Sequence, residues 1–191
     1  MDRIIFLDID GVLLSERAWA QPENKALLDD VCLWERHSQS QAVLERAVFD
    51  PEAVDLVNQL AKRAEAKIVI SSNWRITYRH APTLKKVLDQ GIREDLMHPD
   101  APICPGEIDT GMLMDIAWKR EGIRSWLARH RCDLGVILDD DVLFPGSDSQ
   151  TIFQVRTTFE NGFDRRAYNE ACKVFGIRKQ IAGSHDTNSE P

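Results

Sequence analysis

Three features of the sequence predict an α/β fold built on a mostly parallel sheet. Short apolar runs containing β-branched residues recur at Ile4–Leu7, Lys67–Ile70 and Gly135–Leu138. Such runs suit strands buried on both faces. The segments between them carry apolar residues at helical spacing, the alternation expected of a sheet covered by helices. Each run also ends in polar residues: Asp8 and Asp10, then Ser71 and Ser72, then Asp139 and Asp140. In open parallel sheets the site lies beyond the carboxyl ends of the strands, so these three ends point to one pocket.

The first strand, Ile4–Leu7, stops at Asp8 and Gly11. From Glu23 to Val48, residues Ala26, Leu27, Val31, Leu33, Trp34, Ala42, Val43 and Leu44 recur loosely among charges, which predicts one or two helices inserted after that strand. Asp50-Pro51 starts a helix striped with Val54, Leu56, Val57, Leu60 and Ala61. It leads to the second strand, which ends in Ser71-Ser72-Asn73. Pro82 opens a further helix through Leu84, Val87 and Leu88, closed by Gly91. Four turn-forming residues, Pro99, Pro102, Pro105 and Gly106, make 96–111 a loop or an irregular strand. Ile116, Ile123, Trp126 and Leu127 then mark a helix with Lys119, Arg120, Arg124, Arg129 and Arg131 on or near its other face. The third strand follows, Thr151–Val155 reads as a fourth, and Phe163–Phe175 as the last helix. The polar stretch 179–191 has no pattern and is expected to be disordered.

At 191 residues and 43% hydrophobic content, the chain can bury one core, and residues 1–178 are expected to form a single domain with 15–50 as a cap or insertion. A net charge of −7 gives no global attraction to nucleic acid or an anionic membrane. Cys32, Cys104, Cys132 and Cys172 are widely spaced, without zinc-type pairing, and read as thiols of a reducing cytosol. Ile4–Leu7 is too short for a signal segment or a membrane span, so the expected location is cytoplasmic.

Asp8-Ile9-Asp10-Gly11 places two carboxylates two positions apart as the strand opens. One aspartate can attack phosphorus and split a slow hydrolysis into two displacements; the other can protonate the leaving oxygen and then activate water. The competing reading is that both cap a βα turn. Asp139 and Asp140 repel each other in one pocket unless a cation or proton intervenes. Magnesium, which takes oxygen ligands, fits that need. Asp141 reads as part of the following turn.

The string Asp8-Ile9-Asp10-Gly11-Val12 resembles motif I of the haloacid dehalogenase (HAD) superfamily. Ser71 or Ser72 resembles motif II, a basic residue before a helix motif III, and Asp139-Asp140 motif IV. More narrowly, Ser71-Ser72-Asn73-Trp74-Arg75, Lys119 four residues before Ile123, and Ile137-Leu138-Asp139-Asp140 resemble the HAD domain found in bacterial multi-domain RNA repair proteins and as stand-alone proteins. The resemblance implies a Rossmann-like three-layer sandwich with about five strands and a small helical insertion after the first.

It also implies Asp8 as nucleophile and metal ligand, Asp10 as general acid/base with its carbonyl on magnesium, and Asp139 and Asp140 as further ligands. Ser71, with Ser72 as rival, would hydrogen-bond the phosphoryl group. Lys119, with Arg120 as rival, would neutralise its charge. Asn73 and Arg75 are expected near the substrate; Arg75 would either grip a phosphate or pair with Asp10 or Asp139. Trp74 would stack on a base or pack in the core. The substrate is then a phosphorylated small molecule or, with an open cleft, a nucleic-acid end such as a 3′-phosphate. A HAD-fold module without turnover is the third reading.

Overall fold

A computed structural model describes residues 1–28, 41–106, 116–144 and 150–178. The expected disorder of 179–191 falls outside these residues, as does the 29–40 part of the expected 15–50 cap. Four parallel strands, β1 (Arg3–Leu7), β2 (Ala66–Ile70), β3 (Leu134–Asp139) and β4 (Ile152–Arg156), form one sheet in the order β2-β1-β3-β4. This is an α/β fold of Rossmann-like type, with four regular strands among the described residues where about five were expected. Residues 97–104 run beside β2, bridging at Ile68↔Met97 and Ile70↔Ile103. Pro99 and Pro102 lack the N–H that a regular ladder needs, so this edge stays irregular.

Helices α1 (Glu16–Trp19), α2 (Pro22–Leu28) and α3 (Gln41–Arg46) belong to the insertion after β1. The chain continues through α4 (Pro51–Ala64), α5 (Trp74–Thr77), α6 (His80–Asp89), a 3₁₀ turn at Glu94–Leu96, α7 (Ile116–Leu127) and α8 (Arg165–Val174). Among the described residues no helix is long and apolar enough to cross a membrane.

Alternation along β1 builds the layers, because successive side chains point to opposite faces. Ile5 and Leu7 join a core with Val57 and Leu60 of α4 and Ala171 of α8, whereas Ile4 and Phe6 meet Ile123 and Trp126 of α7. Trp126 stands edge-on to Phe6, with ring centroids 5.5 Å apart. The described insertion contributes Ala18, Leu27, Val43, Leu44, Ala47 and Phe49 to the first core. Buried Asn24 staples it, donating to the carbonyls of Ala18 and Val48 and accepting from the Val48 N–H.

Asp50 caps α4 as its sequence predicts: its side chain accepts from the Glu52 N–H at 2.9 Å, and Pro51 occupies the first turn, where its missing N–H costs nothing. The register then positions the site. Leu7 pairs with Ile70 on one side and Leu138 on the other, so the next residues, Ser71, Asp8 and Asp139, stand in one row across three adjacent strands. Two backbone bonds extend the ladder into that row, Asp8 N–H to Leu138 at 3.0 Å and Ser71 N–H to Leu7 at 2.9 Å.

Candidate active site

Asp8 is buried, and the Ile9 N–H donates to its Oδ1 at 2.8 Å. Its Oδ2 lies 2.5 Å from Nζ of Lys119, which α7 delivers from outside the sheet. The same ammonium reaches Asp139 Oδ1 at 3.1 Å and Asp141 Oδ2 at 3.0 Å. Asp141, read from sequence as part of a turn, thus shares the lysine. Burial alone would lower the Lys119 ammonium, but Asp8 and then Asp139 outweigh it and raise it, so the lysine stays charged.

One cation does not balance this many acids. Burial, and then the charge on Asp8, push the Asp139 carboxyl up to about 8, and the same two causes raise Asp140. Carboxylate oxygens of Asp8, Asp139 and Asp140 lie within 4.8 Å of one another. Asp139 Oδ2 is buried without a hydrogen-bond partner among the described residues. A surplus of clustered oxygen ligands with an orphaned lone pair fits a hard divalent cation.

Gly11 makes room for this cluster. Its φ is +67°, and a Cβ there would fall 2.2 Å from the Asp140 carboxyl carbon. The turn is held from the other side by Thr157, whose hydroxyl donates to the Gly11 carbonyl at 2.8 Å. Nothing in the sequence singles out Thr157. It follows β4 as Asp139 ends β3, and only the pairing of those strands brings it near.

Asp10 sits in the loop after Asp8 and is exposed. The surrounding protein, and then the charge on Asp8, raise its carboxyl to about 7. Water at this open position screens part of that shift, and the direction is toward a carboxyl that holds a proton near neutrality. Trp74 donates from its indole Nε1 to Asp10 Oδ2 at 2.8 Å. Trp74 is buried, so it belongs to the core as one of the two sequence readings had it, with a polar role that neither included.

The serines divide. Ser72 Oγ accepts from the Trp74 N–H at 3.3 Å at the start of α5, whereas Ser71 Oγ is buried without a partner among the described residues. Asn73 follows them, and its Oδ1 is likewise buried and unpartnered. The two basic candidates divide as well. Arg120 turns from the acids, donating to the Leu143 carbonyl at 2.6 Å with its guanidinium 5.9 Å from the Phe144 ring centre.

Arg75 makes no ion pair with Asp10 or Asp139, contrary to one of its two expectations. It is buried and donates to the carbonyls of Ser71, Ser72 (2.6 Å) and Trp118 (3.1 Å), with no carboxylate in ion-pair contact among the described residues. Its planar fork ties the end of β2 to the turn of α7 that carries Lys119. Gly122 admits it: a Cβ there would lie 2.6 Å from Arg75 Nη2 and 2.8 Å from the Pro105 carbonyl oxygen.

Residues 4–167 match the family described as the HAD domain in Swiss Army Knife RNA repair proteins. The chain belongs to that family. The match runs from the second residue of β1 through the insertion and the other three strands of this HAD domain, and extends into α8. Neither the curated proteins nor the solved structures contain a match. Membership is of a superfamily made up largely of hydrolases.

Proposed function

We propose that this HAD domain is a magnesium-dependent phosphohydrolase acting on phosphomonoesters through an aspartyl-phosphate at Asp8. The observation that carries this reading is the row beyond the strand ends, where Asp8 and Asp139 share Lys119 while Ser71 Oγ and Asp139 Oδ2 are buried without partners among the described residues. A buried polar group without a partner calls for an explanation, and a bound phosphoryl oxygen or cation supplies one here.

The Asp8 carboxylate forms a bond to phosphorus as the bond from phosphorus to the leaving oxygen breaks, and the Asp10 proton passes to that oxygen. Asp10, now ionised, takes a proton from water, whose oxygen attacks the aspartyl-phosphate and returns the Asp8 carboxylate. Ser71 donates a hydrogen bond to the phosphoryl oxygens, and Lys119 offsets the charge that develops on them. Magnesium, held by Asp8, Asp139, Asp140 and the Asp10 carbonyl, would supply Lewis-acid stabilisation of the phosphoryl oxygens. Ser72, Asn73 and Arg75 shape the wall beside Ser71, whereas Arg120 is turned to the Leu143 carbonyl, away from the acids.

The family's description favours one second reading: the phosphomonoester is a nucleic-acid end, such as a 3′-phosphate, met in RNA repair. On that reading Arg124 and Arg129 touch the backbone of the substrate. Arg131 is less available, because it pairs with Asp133 at 2.9 Å and faces Asp2 at 3.6 Å.

A turnover screen with small phosphomonoesters and 3′-phosphorylated oligonucleotides, with magnesium and with chelator, tests both. Wild-type protein is expected to release phosphate only with the metal, and Asp8→Asn to release none. Turnover in chelator, or by Asp8→Asn, defeats the proposal. Selective turnover of the oligonucleotides establishes the second reading.

A further inference from the structure

We propose that Trp74 is a positioning residue that sets which oxygen of Asp10 delivers the proton, an inference resting on the acid/base role proposed above for Asp10. Three observations place it. The indole N–H donates to Asp10 Oδ2 at 2.8 Å, while Asp10 Oδ1 has no hydrogen-bond partner among the described residues. The indole is fixed on two sides by edge-to-face contacts with Tyr78 at 5.0 Å and Phe49 at 6.0 Å between ring centres. Its own backbone N–H donates to Ser72 Oγ, so ring and main chain are both tied to the end of β2.

The chemistry follows from the inventory of a carboxyl group. An indole N–H is a donor only, and in a protonated carboxyl the carbonyl oxygen is the better acceptor. Trp74 therefore selects Oδ2 as the carbonyl oxygen and leaves the hydroxyl on Oδ1, the oxygen without a partner. In the transfer step that Oδ1–H bond breaks, its proton goes to the leaving oxygen as the phosphorus–oxygen bond breaks, and Asp10 is left as a carboxylate still held by the indole. Without the indole, the carboxyl rotates and divides its proton between two oxygens. Phe49 closes the insertion and is itself anchored by its N–H to Gln90 Oε1 at 2.9 Å. The insertion thus reaches the acid through one aromatic contact.

A packing role and a positioning role separate on leaving groups. A poor leaving group such as phenolate needs the proton, whereas nitrophenolate departs largely without it. The measurement is kcat/KM for phenyl phosphate and nitrophenyl phosphate with saturating magnesium. It compares wild type, Asp10→Asn, Trp74→Phe, and a protein carrying benzothienylalanine at 74, which keeps the bicycle and replaces N–H by sulfur.

Asp10→Asn, lacking the acid, is expected to lose about 10²- to 10⁴-fold on phenyl phosphate and much less on nitrophenyl phosphate. Both position-74 proteins are expected to shift the ratio of the two substrates in the same sense by about tenfold, one part of that range. A wild-type ratio in the benzothienyl protein, with Asp10→Asn discriminating as expected, overturns the role of Trp74 and leaves the mechanism intact. A wild-type ratio in Asp10→Asn shows that Asp10 is not the acid, and both readings then fall. Equal losses on both substrates in the position-74 proteins show packing alone and overturn the proposal.

Discussion

At Lys119 three carboxylates share one ammonium, and among the described residues no other cation pairs with Asp8 or Asp139. Removing that charge without replacing it leaves two buried carboxylates repelling each other. Lys119→Met is therefore expected to destabilise the metal-free protein by about 3–5 kcal/mol, with magnesium restoring part of the loss, as read by thermal denaturation with and without the metal. The same variant is expected to lower kcat by about 10²- to 10³-fold. An unchanged melting temperature without metal would contradict the charge balance described above. Gly11 offers a second test, because its Cβ space is filled by the Asp140 carboxylate and its φ is positive. Gly11→Ala is expected to cost about 1–2 kcal/mol in backbone strain and to weaken magnesium binding, measured by titration calorimetry. Magnesium affinity equal to wild type would show that Asp140 is not a ligand.

At the scale of elements, α7 matters as much for the groove across it as for the lysine on it. Gly122 lies inside this helix, where alanine is intrinsically better by about 1 kcal/mol. Propensity alone predicts that Gly122→Ala stabilises. The structure predicts the reverse: the new methyl meets Arg75 Nη2 and the Pro105 carbonyl, and overpacking of this kind costs about 1–3 kcal/mol. Denaturant unfolding decides the sign, and activity should fall with stability as Arg75 lets go of the Ser71 and Ser72 carbonyls. A Gly122→Ala protein more stable than wild type would show that Arg75 has room to move. Every regular strand among the described residues was legible, because each is a mostly apolar run bounded by polar residues. Sequence reasoning found α4 because Asp50-Pro51 is a local signal. It did not find the short α1 and α5, whose four residues show no period, nor the Arg75–Gly122 contact, which joins positions brought together only by packing.

For the whole molecule, the site acids set a dependence of stability on pH. Asp139 has a folded-state value raised to about 8, above the ordinary aspartate range. Between the unfolded value near 4 and that folded value, the native metal-free protein holds more protons than the unfolded chain. Its stability therefore falls as pH rises through that window, by up to about 1.4 kcal/mol per pH unit for this proton, and exposed Asp10 adds a smaller, water-screened contribution of the same sign. The melting temperature in chelator is expected to drop from pH 5 to pH 8, and Asp139→Asn to flatten the drop while raising the pH 8 value. A melting temperature that climbs across that range would mean the acids are already compensated within the fold. The candidate site was legible in outline because Asp8, Ser71 and Asp139 each end an apolar run, and register then makes them neighbours. Thr157, the shared ion pair of Asp141 and the indole donor of Trp74 were not legible, since each depends on the distance between separate loops.

Acid-quenched mass spectrometry during phosphomonoester turnover looks for the aspartyl-phosphate itself. A phosphoryl adduct is expected on the peptide containing Asp8, accumulating in Asp10→Asn where water attack is slowed and absent from Asp8→Asn. Steady phosphate release with no adduct on that peptide at any quench time, together with turnover by Asp8→Asn, would contradict the aspartyl-phosphate mechanism.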